Sequence, residues 1–246
     1  MIFSAPHASH ENLKGCLVRR SFILVFLYIA LIPLPASAQN YPKAEIFGGY
    51  SYLHVDTNGA SSSSLNQLCN TVTVGNCPFI FQLHPGFNGW NAAGQFNLNS
   101  WFGITADISG HYGTPVTAKI TSASFQGINF VDFSLPKQRN YDFLFGPVFS
   151  YRTPRYKPFA HALLGDEHVS FGSVQLPPNQ GSFPAPPSNN YFVFSLGGGV
   201  DVKLGPRFLL RAGEFDYQRV TNPSGAKDYH NNLRVSVGLV ALFGGR

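Results

Sequence analysis

Asn140-Tyr-Asp-Phe-Leu-Phe-Gly-Pro-Val-Phe-Ser-Tyr151 is the stretch whose reading decides the fold. One parity carries Tyr141, Phe143, Phe145, Pro147, Phe149 and Tyr151; the other carries Asp142, Leu144, Gly146, Val148 and Ser150. Successive strand side chains point to opposite sides, so these are two faces. The aromatic face has tyrosines at its ends and phenylalanines between, the order expected where a strand crosses lipid between two headgroup layers. Small residues and a carboxylate on the other face suit the crowded, polar interior of a narrow membrane barrel.

Seven further segments repeat the pattern. The sequence predicts strands over 44–54, 87–97, 101–112, 156–168, 191–203, 207–219 and 232–243. Phe102, Ile104, Ala106 and Ile108 alternate with Gly103, Thr105, Asp107 and Ser109, and Leu233, Val235 and Val237 with Arg234, Ser236 and Gly238. The segment 156–168 alternates poorly, so the face of Phe159, His161 and Leu163 is open at this point. Connections at 55–85, 113–139 and 172–190 are long, while 98–100, 152–155 and 204–206 are minimal. In an antiparallel up-and-down order, all short links fall at one end, the asymmetry of outer-membrane barrels. The expected fold is an eight-stranded antiparallel up-and-down transmembrane β-barrel. A lipocalin-like soluble barrel would put the greasy side chains inside; Asp107, Asp142, Asp201 and Arg234 opposite the aromatics argue against it.

Composition agrees. Only 12% of the 246 residues are charged, about half the usual ~25%, and 15% are aromatic. Lys14, Arg19 and Arg20 precede an apolar run from Phe22 to Leu34, and Ala36-Ser37-Ala38 offers a cleavage site before Gln39. That run is shorter than the ~20 residues of a spanning helix, so 1–38 reads as a signal peptide and 39–246 as the barrel domain. Cleavage lowers the basic count from 17 to 14 and the acidic count from 12 to 11, leaving +3, too little to point to nucleic acid. Cys69 and Cys77 in an exported chain suggest a disulfide; a zinc site would need a second ligand pair.

An eight-stranded lumen is just filled by side chains, so charges in it must be paired. Asp107, Asp142, Asp201, Arg211, Glu214 (or Asp216 in its place) and Arg234 are the candidate interior ions; they would form a structural plug or a gated narrow pore. Simple alternation separates Arg211 from Glu214, so their pairing needs a bulge at Gly213. Pro147, which lacks a ladder donor, suggests a second bulge. No histidine pair after the cleavage site has metal-ligand spacing and no glycine loop suits a phosphate, so no metal or cofactor is expected.

Phe47-Gly-Gly-Tyr-Ser-Tyr52, Phe145-Gly-Pro-Val-Phe-Ser-Tyr-Arg152 and the closing Leu233 to Phe243 resemble the small outer-membrane β-barrel family, of the kind typified by the membrane domain of OmpA. The resemblance covers nearly all of 39–246. It implies a Gram-negative outer-membrane protein whose partners are outer-membrane lipids, lipopolysaccharide and the barrel-assembly machinery, with Phe243 as the terminal aromatic that machinery favours. A monomer with a structural or surface-interaction role, meeting an unknown extracellular ligand through its long loops, is the function expected. The peptidoglycan-binding domain of full-length OmpA has no counterpart in the chain. An enzymatic alternative comes from barrel lipid A deacylases, which His168-Val-Ser170 resembles in its His-x-Ser spacing, with Phe171 where that family has Asn.

Overall fold

The computed structural model describes residues 41–57, 60–73, 77, 79–120, 124–125, 128–129, 133–134, 136–175, 182–221 and 229–244. The signal segment 1–38 and its cleavage pair Ala38 and Gln39 lie outside them. Eight antiparallel strands close into a barrel: β1 (Ala44–His54), β2 (Gly86–Asn97), β3 (Phe102–Gly113), β4 (Gln138–Ser150), β5 (Tyr156–Phe171), β6 (Asn189–Lys203), β7 (Phe208–Thr221) and β8 (Tyr229–Phe243). Each strand pairs with its neighbours in sequence. Strand β8 closes on β1, from Ala44 opposite Phe243 to His54 opposite Leu233, so the barrel leaves no unpaired edge.

Alternation sets which side faces in. In β4, Asp142, Leu144, Gly146, Val148 and Ser150 are buried, while Phe143, Phe145 and Phe149 are each close to half exposed. The exterior carries Ile46, Ile108, Leu164, Leu196, Phe215 and Leu239, all exposed. Such a band is stable only against hydrocarbon. Aromatic side chains flank it at both rims. Near the short turns, Trp101 stacks on Phe149 with ring centroids 5.9 Å apart. At the far rim the Trp90 indole donates to Tyr112 Oη at 3.3 Å, and the Tyr112 hydroxyl donates to Tyr141 Oη at 3.3 Å.

The short connections are closed by their own polar groups. Asn99 Oδ1 accepts from the Trp101 and Phe102 amides at 2.9 and 2.7 Å, an Asx-type turn. The long connections depart from the reading of 55–85 as loop. They contain a helix, α1 (Ser62–Val72), and a strand, Phe79–Leu83. The Ser61–Ser64 run that reads as loop by composition is a capping box: Ser61 Oγ accepts from the Ser64 amide at 3.1 Å and Ser64 Oγ from the Ser61 amide at 2.9 Å. Phe79–Leu83 pairs with Val116–Ile120, which also pairs with Phe133–Ser134, so the first two long connections share one small sheet outside the barrel. In the third, Val174–Gln175 pairs with Ser182–Phe183.

The register shifts between Arg211 and Glu214, placing the bulge where Gly213 suggests it. No bulge accompanies Pro147. Pairing of β4 with β5 keeps one register on both sides of it, from Ser150 opposite Phe159 to Phe145 opposite Leu164, contrary to the bulge expected there. Pro147 points outward, and the ladder absorbs the missing donor without an extra residue.

Candidate functional site

All six ionic residues expected inside are buried within the barrel. The Gly213 bulge brings Arg211 and Glu214 to one face, where Arg211 Nη1 donates to Glu214 Oε2 at 2.8 Å. Arg211 Nε donates to Asp201 Oδ1 at 2.8 Å. Its guanidinium lies over two rings, 4.2 Å from the centroid of Phe47 and 4.3 Å from that of Phe159. Its charge is thus matched by two carboxylates and by the faces of two aromatic rings.

Deeper along the lumen, Arg234 Nη1 donates to Asp107 Oδ1 at 2.7 Å and Nε donates to Asp216 Oδ2 at 2.9 Å. Arg234 Nη2 lies 2.8 Å from the same Asp216 oxygen without the angle of a hydrogen bond. Asp142 accepts from Ser109 Oγ at 2.8 Å, continuing the polar network towards the loop end.

The structure adds members beyond these six. Glu45 takes Arg152 at 2.8 Å and also pairs with Lys157, which reaches Asp201 at 2.8 Å. His161 bonds Asp216 at 2.6 Å, and Glu167 accepts from Asn140 Nδ2 at 2.7 Å. Contacts between these polar groups therefore run from Arg152 through Glu45, Lys157, Asp201 and Arg211 to Glu214, whose Oε1 lies 3.8 Å from His161 Nδ1, and on from His161 through Asp216 and Arg234 to Asp107. Lys157, Phe159, His161 and Leu163 all point inward, which resolves the face of β5. Its outward positions include Ala160 and Ala162, too small to mark a lipid face. Glu45 had a signal of its own, since it shares parity with Gly49 and Ser51 on β1.

His161, Glu214 and Asp216 have donor atoms within 4.8 Å of one another, a metal-like grouping. Arg211 and Arg234 already engage the two carboxylates, so the cluster is self-neutralised. A cavity inside, lined by Glu45, Asp107, His161, Arg211 and Glu214 among others, holds only about 10 Å³, room for one water at most.

His168 and Ser170 lie one strand period apart on the outward face of β5. His168 Nδ1 is 2.6 Å from Asn190 Oδ1, and among the described residues no hydrogen bond joins it to Ser170. Phe243 faces outward at the end of β8, half exposed. Cys69 and Cys77 form a disulfide with Cα atoms 5.5 Å apart, tying the last turn of α1 to the chain leading into Phe79–Leu83. Asn66 adds two bonds to Phe81: its Oδ1 accepts from the amide at 2.7 Å and its Nδ2 donates to the carbonyl at 3.2 Å.

An apolar band between aromatic rims, around a charge-filled lumen, defines a small outer-membrane β-barrel. No protein-family model matches the chain, and no curated protein matches it. Among solved structures it is similar to Neisserial surface protein A, at 11% identity over 82% of this chain and 97% of that one, with a TM-score of 0.50. Also similar are Ail, the attachment invasion locus protein of Yersinia pestis (14% identity, 81% and 99% covered, TM-score 0.46), and the outer membrane protein OprG of Pseudomonas aeruginosa (12%, 85% and 99%, 0.45). At these identities the likeness is one of fold.

Proposed function

We propose that the chain is a non-enzymatic barrel of the OmpA type that makes surface interactions through its loop end. The observation that carries this reading is the platform formed there: α1, its disulfide and the strand Phe79–Leu83 join Val116–Ile120 from the next long connection. A loop with no binding role needs no such order, and ordered loops on a rigid scaffold are where recognition concentrates. The buried ion pairs of Arg211 and Arg234 and the small volume of the interior cavity favour a structural plug over a pore. The engagement of His168 by Asn190 weighs against a His168–Ser170 dyad. Lipopolysaccharide and other outer-membrane lipids surround the apolar band, the barrel-assembly machinery reads Phe243, and the barrel acts as a monomer facing an extracellular ligand.

The test is adhesion of cells displaying the full barrel, or one lacking 60–83, to an extracellular-matrix surface. The deletion should keep a folded band on unboiled gels and lose the adhesion. Equal adhesion by both and by cells without the barrel would remove the reading. Planar-bilayer recordings without conductance and an unchanged lipid A profile in Ser170→Ala separate it from the pore and the deacylase.

A further inference from the structure

At the short-turn end, a cavity of about 640 Å³ is lined by Arg152, Arg155, Lys157, Lys203 and Arg207, with Asp201 the sole acid of its wall among the described residues. The cations divide into two kinds. Arg152 and Lys157 are neutralised by Glu45 and Asp201. Arg155, Lys203 and Arg207 are exposed, and none has a carboxylate partner among the described residues.

These three are held close by the backbone rather than by each other. The Lys203 amide donates to the Arg155 carbonyl at 2.9 Å, which ties the β4–β5 turn to the end of β6. The Leu242 amide donates to the Arg207 carbonyl at 2.9 Å, fixing the β6–β7 turn against β8. Like charges gathered on rigid turns repel one another, and an anion placed between them relieves that repulsion. Preorganised turns lower the ordering cost of binding it. The same cavity is bounded by Tyr156, Phe208 and Phe243, which face outward at the lipid rim and are about half exposed. The wall therefore passes from cationic to aromatic at the membrane boundary.

We propose that this cavity binds a phosphate group with uncompensated negative charge. It would be the headgroup of an anionic phospholipid in the leaflet facing the short turns, or a free phosphate ester from the aqueous side. Arg155, Lys203 and Arg207 contact the phosphate oxygens, and the aromatic rim receives an acyl chain where there is one.

Calorimetric titration of the folded mature barrel in a zwitterionic detergent tests this with three probes: short-chain phosphatidylglycerol, the matching phosphatidylcholine and inorganic phosphate. Phosphatidylglycerol should bind at least about tenfold more tightly than phosphatidylcholine, given one unit of uncompensated charge beside three cations. Each cation removed should weaken binding about fivefold, and the Arg155→Gln/Lys203→Gln/Arg207→Gln variant on the order of 100-fold. Lys119→Gln, on the platform at the opposite end, should change nothing. Inorganic phosphate that binds alone and displaces the lipid would assign the site to free phosphate; lipid binding without phosphate binding would assign it to the headgroup. Equal affinity for the two lipids with no phosphate binding, or a triple variant that binds like the parent, would overturn the proposal. The unboiled-gel band checks that the triple variant folds, which the exposed positions of its three residues lead us to expect.

Discussion

Replacing Arg234 by methionine probes the ion chain at its most enclosed point. The side chain is fully buried, and it is the cation shared by Asp107 and Asp216. Removing one partner of a buried pair costs about 3–5 kcal/mol, because the remaining charge is stranded. Here the stranded groups keep some help. Asp107 still accepts from Asn91 Nδ2 at 2.8 Å, and Asp216 still bonds His161 at 2.6 Å. The loss should therefore sit near the lower bound, about 3 kcal/mol, or roughly 150-fold in the unfolding equilibrium. Adding Asp107→Asn and Asp216→Asn removes the stranded charge and should bring stability back to within about 1 kcal/mol of the parent. Guanidinium unfolding in lipid vesicles, followed through Trp90 and Trp101 fluorescence, measures both variants. A single substitution that shifts stability by less than about 0.5 kcal/mol, or a triple no better than the single, would refute the reasoning.

Arg211→Lys keeps the charge but loses the fork that reaches Asp201 and Glu214 and the guanidinium that lies over Phe47 and Phe159; denaturant unfolding should show a loss of about 2 kcal/mol. Gly49→Val places a branched side chain against the Val237 carbonyl across the closing seam, where backbone cannot give way. It should cost about 1–3 kcal/mol and slow the appearance of the folded gel band. Cys69→Ser should leave barrel unfolding unchanged while opening the platform, read as faster proteolysis within 60–83; the cross-link closes a short loop, worth about 2 kcal/mol locally.

Much of this is legible in the sequence. Alternation placed Asp107, Asp142, Asp201 and Arg234 inside, because period two leaves one choice of face once the aromatics are assigned to lipid. Gly213 signalled its bulge, since no other local device could bring Arg211 and Glu214 together. Strand β5 was opaque for a physical reason: the lumen takes large groups such as Phe159 and Leu163 where they fill gaps between ion pairs, while lipid accepts an alanine as readily as a phenylalanine. The platform was hidden because its helix rests on serine capping and a disulfide instead of an apolar face; no residue of α1 is buried.

The sequence by itself determined the polarity of the chain: which residues meet hydrocarbon, which meet the axis, and which end holds the short turns. Those are local properties, written in period and in connection length. Tertiary structure alone decided who partners whom. Glu45 meets Lys157 and Arg234 meets Asp107 only because a closed barrel of eight strands brings distant segments to one depth of a narrow lumen, where an ion without a nearby counter-charge could not be kept.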